Sequence, residues 1–155
     1  MVTLRPATAD DGPTVARIYV DSWNDGFQTL MPTAVLDAGR IARWSETLAG
    51  GNWWVAEVDG VTAGFVGIGP SRDPIDPDLG ELDTIAVDPP YWRHGVGTAL
   101  MQKALDELAA QYDEAILWTL ANYPQGQTFY TKTGWTQAPE SRDNGHQVSY
   151  RRRFR

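Results

Sequence analysis

Cysteine is absent from this sequence, and with it go disulfide bonds, thiolate nucleophiles and cysteine-ligated zinc. Histidine occurs twice, at His94 and His146. The two stand far apart without metal-ligand spacing, so no metal site is expected. No stretch approaches the roughly 20 apolar residues that a spanning helix needs, and no membrane partner is expected. The opening "MVTLRPATADD" lacks a basic segment followed by an apolar run, the signature of a secretory signal, which makes a cytoplasmic location the expectation. Positive charge is the scarcer sign: 13 Lys and Arg stand against 20 Asp and Glu, for a formal net charge of −7. That balance argues against nucleic acid as a partner and favours cationic small molecules. The one basic cluster, the closing "RRRFR", reads as a solvated final strand.

What is present suits a globular protein. A chain of 155 residues with 42% hydrophobic residues can bury one sizeable core, so the expectation is a single domain over 1–155. Val2 to Arg5 alternates and stops at Pro6, which predicts a strand. Thr8 then caps a helix with Asp10 and Asp11 in its first turn and Val15, Ile18, Tyr19, Ser22 and Trp23 at helical spacing. The helix ends over Asn24 to Pro32, and a second helix covers Thr33 to Thr47. "NWWVAEV" and "VTAGFVGIG" flank Asp59-Gly60 and predict an antiparallel hairpin. On the first of these strands Trp53 and Trp54 must point to opposite faces. "PSRDPIDPD" reads as a proline-rich loop.

"GELDTIAVD" is a strand ending at Pro89, and Gly95 to Gln111 a helix whose Val96, Leu100, Ala104 and Leu108 form one buried stripe. "EAILWTL" is a strand, Gln125 to Lys132 a short helix stopped by Gly134, and "WTQAP" and "HQVSYRRRF" are closing strands. The sum is a mixed α+β domain with an antiparallel front half and a strand, helix, strand unit behind it.

Two glycines, at 95 and 97, open the long helix in "VDPPYWRHGVGTALMQKAL". A plain helix cap would explain them. They also remove side chains where the backbone N–H groups of a first helical turn point outward, the arrangement that receives an anion. A dinucleotide-binding turn is disfavoured because Leu100 stands where a third glycine would be, and a nucleoside triphosphate loop because no Lys and Ser or Thr follow the second glycine.

"ELDTIAVDPPYWRHGVGTALMQKAL" followed by "NYPQGQTFYTKTGW" resembles the acyl-CoA-binding core of the GNAT superfamily of N-acyltransferases, and the order of elements agrees over nearly the whole chain. The resemblance implies a largely antiparallel central sheet of about six or seven strands flanked by about four helices. It implies acetyl-CoA as co-substrate. The amides of Arg93, His94, Gly95, Val96, Gly97 and Thr98 would hold the coenzyme pyrophosphate, and the backbone of Ile85, Ala86 and Val87 would pair with the pantetheine arm. Asn122 and Tyr130 belong to the same binding set. Two departures stand out: Trp92 occupies the place where the family usually carries Gln or Arg, and the interval from Asn122 to Tyr130 is one residue longer than the common pattern.

Acyl transfer to an amine requires a neutral amine, a polarised thioester carbonyl and a proton for the departing thiolate. Glu81 and Asp83 lie two apart on one strand and share a face with Ile85 and Val87. A carboxylate beside apolar neighbours has a raised pKa suited to accepting a proton. Glu81 is the first candidate for base, Asp83 the second, and a water relay serves either. Tyr130 is placed by the resemblance near the coenzyme sulfur, as proton donor, with core packing as the alternative role of its ring. Trp23 and Phe27 fall where the resemblance puts the acceptor-site wall, with core packing as the alternative role of Trp23, and Glu81 is the third candidate for contact with the acceptor.

The expectation is therefore direct transfer of an acetyl group to a primary amine in a ternary complex, because no cysteine or serine nucleophile motif is available to hold it. The acceptor is a small-molecule or peptide amine, and a homodimer stays open. Two alternatives stand beside it: a non-catalytic acyl-CoA sensor, and an acetyltransferase for protein N-termini or lysines.

Overall fold

Strand β1, Val2–Pro6, continues through its terminal proline and pairs antiparallel with β2, Trp53–Val58, from Val2↔Val58 to Pro6↔Trp54. The computed structural model describes residues 1–27 and 36–155, without the side chains of residues 26 and 27. Its strands join in the order β1-β2-β3-β4-β5-β7-β6, where β3 is Val61–Arg72, β4 Ile75–Val87, β5 Glu114–Leu120, β6 Thr136–Arg142 and β7 Gln147–Arg153. Four helices accompany them: α1 Gly12–Phe27, α2 Ala38–Ala49, α3 Val96–Gln111 and α4 Pro124–Lys132. The β4–β5 ladder is parallel, at Gly80↔Ala115 and Glu81↔Ile116, and the pairs β1–β2, β2–β3, β5–β7 and β6–β7 are antiparallel. The expected strand, helix, strand unit is thus β4-α3-β5.

Several predicted boundaries move. Thr8 precedes a 3-10 turn, Ala9–Asp11, rather than the long helix itself, and its amide donates to Asp11 Oδ2 at 2.8 Å. Helix α1 then carries on to Phe27, within the Asn24 to Pro32 stretch expected to end it. Helix α2 starts at Ala38, where Asp37 Oδ1 accepts the Arg40 amide at 2.8 Å as an N-cap. The predicted start at Thr33 lies outside the described residues. "PSRDPIDPD" is not a loop: it is the end of a second hairpin, turning at Asp73-Pro74 between β3 and β4. Proline is tolerated in a strand wherever its missing N–H is not needed by a neighbour. Pro77 precedes the first β4–β5 pair at Gly80 and so costs that ladder nothing.

Contacts divide the chain into two compact units, Met1–Gly67 with Thr84–Lys103 and Ile68–Asp83 with Ala104–Arg155. The first is built on Val15, Ile18, Leu48, Trp53, Val55 and Phe65, with Tyr19, Trp44 and Ala86 packed against them. Trp44 meets Trp53 and Phe65 edge-on at 5.3 and 5.2 Å, geometry that the ring quadrupoles favour. Trp54 leaves the opposite face of β2 and lies under the Lys103 ammonium, 5.5 Å from the ring centre. The hairpin turn has Asp59 and Gly60 at φ 51° and 80°, as the Asp-Gly pair predicts. Gly64 on β3 lets the start of α3 approach closely, since a Cβ there would stand 2.7 Å from the Ala86 carbonyl oxygen and 2.9 Å from Leu100 Cδ1.

The second unit buries Leu79, Leu82, Leu108, Ala115, Ile116, Leu117, Trp135 and Tyr150. β5 and β7 pair over their full lengths, Glu114↔Arg153 to Leu120↔Gln147. The closing arginines are fastened rather than merely solvated. Arg151 pairs with Glu114 and Glu140, and Arg155 donates to the Ala109 and Tyr112 carbonyls at 2.6 and 2.8 Å, capping the end of α3. In both units the residues of the predicted α3 stripe, Val96 and Leu100 in one, Ala104 and Leu108 in the other, are buried.

Candidate active site

In the first unit β4 ends at Val87 and the chain passes through Asp88, a 3-10 turn at Pro89–Tyr91 and four turn residues into α3. Asp88 fixes this passage. Its amide donates to the Ala63 carbonyl at 2.8 Å, and its carboxylate, with 8% of the side chain exposed, takes Arg17 Nη2 at 3.0 Å and Nη1 at 3.3 Å. Arg17 reaches from α1, where it also pairs with Asp21. A carboxylate this buried needs such a partner, and the sequence reading nominated neither residue.

Beyond Asp88 the backbone folds back sharply, with Arg93 at φ 67° and Gly95 at φ 80°. Glycine enters that region without strain, whereas a side chain resists it. Ala99 N–H donates to Gly95 O at 3.1 Å as the first helical bond. Among the described residues no backbone carbonyl takes the amides of Arg93, His94, Gly95, Val96, Gly97 or Thr98. Orphan amides at a helix start, with the positive end of the helix dipole behind them, form a seat for a small anion. Arg93, His94, Gly95 and Thr98 are exposed, Gly97 is half-buried, and Val96 is buried as an anchor of the turn. Tyr91 and His94 meet edge-on at 6.4 Å.

The three strand residues before the loop differ in what they offer. The Ala86 carbonyl and the Asp88 amide face β3, as the Gly64 approach and the Ala63 bond show. Backbone groups alternate sides along a strand, so Ile85 and Val87 present theirs away from β3 and Ala86 does not. The Val87 carbonyl already accepts the indole N–H of Trp92 at 2.7 Å. Trp92, the departure from the family pattern, thus closes the loop back onto the strand that precedes it. Trp23, on α1, is half-buried and stacks on Tyr19 at a ring distance of 6.0 Å. The Phe27 side chain lies outside the described residues.

The second unit holds the titratable candidates. Glu81 is 6% exposed, and both its oxygens are engaged by one residue. Oε1 accepts the Arg72 amide at 2.9 Å and Oε2 accepts Arg72 Nη2 at 2.9 Å. The same Nη2 lies 3.3 Å from Asp83 Oδ2. The hydrogen bond to Glu81 foremost raises the Arg72 pKa above its ordinary value; burial opposes this, and the charges of Asp83 and Glu81 add to it. The expected setting, a carboxylate among apolar neighbours, is therefore replaced by an ion-paired one. Arg72 was missed because its stretch of sequence read as loop.

Tyr130, on α4, is half-buried, its ring 5.7 Å from Phe129 and 6.0 Å from Tyr150. Burial, with smaller contributions from Tyr123 and Tyr150, pushes its pKa well above the ordinary phenol value, so the hydroxyl holds its proton. Asn122 is exposed in the turn before α4. The helix is tied down instead by Gln127, whose side-chain amide donates to the Ala121 carbonyl at 2.6 Å.

A cavity of about 520 Å³ lies in this unit among Glu114, Gly134, Thr136, Arg151, Arg152 and Arg153, and no nominated residue lines it. Among the described residues no three His, Cys, Asp or Glu side chains converge as metal ligands, and no helix is long and apolar enough to cross a membrane.

Residues 13–135, well over half of the chain, match the model of the Acetyltransferase (GNAT) family. The chain belongs to that family. Among related sequences it is 28% identical to the probable N-acetyltransferase Rv2775 of Mycobacterium tuberculosis, over 97% of this chain and 92% of that protein. The uncharacterized N-acetyltransferase YuaI of Bacillus subtilis is 26% identical over 80% of this chain and 75% of its own length. Among solved structures, the PaiA N-acetyltransferase of Thermoplasma acidophilum, in complex with coenzyme A, shares the fold with a TM-score of 0.77 at 17% identity, covering 99% of both chains. The expected fold is thus present: among the described residues a mostly antiparallel seven-stranded sheet with four helices, shared with that structure.

Proposed function

We propose that residues 1–155 form one cytoplasmic N-acetyltransferase domain that moves an acetyl group from acetyl-CoA to the primary amine of a small-molecule or peptide acceptor by direct attack. The observation that carries this reading is the run of six amides, Arg93 to Thr98, without a backbone acceptor at the start of α3. Phosphate oxygens satisfy such amides, and the coenzyme's pyrophosphate supplies them. The outward backbone groups of Ile85 and the Val87 amide are offered to the pantetheine arm, which adds to the sheet as a strand would. The Thermoplasma PaiA structure contains coenzyme A, and the YncA structure from Salmonella typhimurium, with a TM-score of 0.77, contains acetyl-CoA.

In the reaction the amine lone pair attacks the thioester carbonyl carbon, a C–N bond forms and the C–S bond breaks. The ammonium proton leaves to Glu81, directly or through water, and Asp83 draws the cationic acceptor. Tyr130 delivers its proton to the departing thiolate and is reprotonated from solvent. Its raised pKa keeps the donor loaded at neutral pH.

Release of free coenzyme A, measured across amines, amino acids, aminoglycosides and peptides, tests the reading. An accepted amine should give turnover that Glu81→Gln depresses. Coenzyme binding without turnover on any amine would make the protein an acyl-CoA sensor instead.

A further inference from the structure

The β3–β4 turn is held at more points than a surface hairpin requires. Ser71 Oγ donates to the Pro74 carbonyl at 2.6 Å, and Ser71 is 4% exposed. Trp118 Nε1, from β5, donates to the Asp73 carbonyl at 2.8 Å. Arg142, from β6, donates to Asp73 Oδ2 at 3.0 Å, lies over the Trp118 ring at 4.3 Å, and is itself held by Gln147 Oε1 at 2.8 Å. Arg72 sits inside this fastened turn with its backbone amide on one Glu81 oxygen and its guanidinium on the other.

We infer that Arg72 is a positioning residue for acetyl transfer: the pinned Ser71–Pro74 turn sets its amide and guanidinium, and these two donors fix the Glu81 carboxylate in a single orientation. The inference rests on the role proposed for Glu81. With each oxygen engaged once, the carboxylate cannot rotate without losing a charge-assisted bond, and each oxygen keeps a second lone pair for an acceptor proton or a water. Asp83, at 3.3 Å from the same Nη2, limits where the guanidinium can go. The arginine side chain is 67% exposed, which is more than packing would select and is suited to a group that touches an open site.

The test compares kcat and KM for Arg72→Met, Arg72→Lys, Glu81→Gln and the Arg72→Met/Glu81→Gln pair, with one accepted amine and with acetyl-CoA and the amine each varied while the other is saturating. A mispositioned base costs kcat, so Arg72→Met should lower kcat about 10- to 100-fold, with KM for acetyl-CoA unchanged. Arg72→Lys should recover part of the loss, because an ammonium still satisfies Oε2 as a point charge. Adding Arg72→Met to Glu81→Gln should cost no more than about twofold further, since groups acting as a unit are non-additive. Removing the guanidinium leaves a buried carboxylate uncompensated. Should Arg72→Met not fold, Arg72→Gln, which keeps a shorter polar side chain with an amide donor and no charge, must show the same split. If Glu81→Gln lowers kcat while the Arg72 variants stay at wild type, the positioning role is wrong and the role of Glu81 stands. An equal cost of Arg72→Met in both backgrounds also refutes positioning through Glu81. If Glu81→Gln itself matches wild type, the Glu81 reading falls and takes the inference with it.

Discussion

The loop that opens α3 and the Arg72–Glu81–Asp83 cluster are built from different materials. The first presents main-chain amides, set by two positive-φ residues and steadied from outside by the Arg17–Asp88 pair. The second is made of side chains joined across a hairpin, with one guanidinium nitrogen shared by two carboxylates. A backbone seat depends on conformation and tolerates changes of side chain, provided nothing intrudes on it. A side-chain cluster depends on identity, and loses its chemistry when one functional group goes. Binding should therefore respond to substitutions in the first region, and turnover to substitutions in the second unit.

The largest expected effect is on turnover. Tyr130→Phe keeps the ring against Phe129 and Tyr150 and removes one hydroxyl. If it is the general acid, kcat should fall between about 10² and 10⁴-fold, while coenzyme A affinity by calorimetry hardly moves. A kcat within about threefold of wild type would make Tyr130 a packing residue and erase the contrast.

Gly97→Glu probes the other region. A carboxylate at the second position of α3 would sit among the orphan amides and repel a second anion. Wild-type protein at 100 times Kd of coenzyme A should gain about 2.7 kcal/mol of stability, read as a rise in melting temperature. The variant should show no such rise. Full stabilisation of the variant would remove the anion seat from the argument for function.

The smallest effect serves as a baseline away from both. Asp11 accepts two bonds from Arg5, at 2.7 and 2.9 Å, and one from the Thr8 amide. The Arg5 hydrogen bonds foremost, then the Thr8 amide, hold its carboxyl below the ordinary carboxylate value against the opposing effect of burial. A carboxyl with a depressed folded-state pKa stabilises fully above its unfolded value, and that stabilisation is lost as pH falls through the folded one. Asp11→Asn should cost about 1 kcal/mol at pH 7 in urea unfolding. The gap from wild type should close as pH drops below about 4, with kcat unchanged at pH 7. A gap that stays constant with pH would assign the loss to packing.

Much of the fold could be read locally. The Asp59-Gly60 turn, the α3 stripe and the strand "EAILWTL" depend on neighbours a few residues apart, and each appears where the pattern put it. The sharp turn with open amides at the start of α3 was equally legible, because two glycines and a following helix are consecutive in the chain. Glu81, Asp83 and Tyr130 were nominated by motif and strand alternation, and their surroundings were not. Ser71 to Pro74 read as loop because prolines and aspartates dominate it, and only Trp118 and Arg142, 45 and 69 residues from Asp73, reveal a fixed turn. Arg17 and Asp88 are 71 residues apart.

The sequence by itself determined most of the elements, the family core and the turn with open amides at the start of α3, since each follows from φ preferences and hydrophobic spacing within a short window. Tertiary structure alone decided which charges meet. It paired Arg72 with Glu81, Arg17 with Asp88 and Arg155 with the end of α3. Ion pairs form between side chains whose separation is set by the completed sheet and helices, and an acidic chain offers each arginine many carboxylates that local pattern cannot rank.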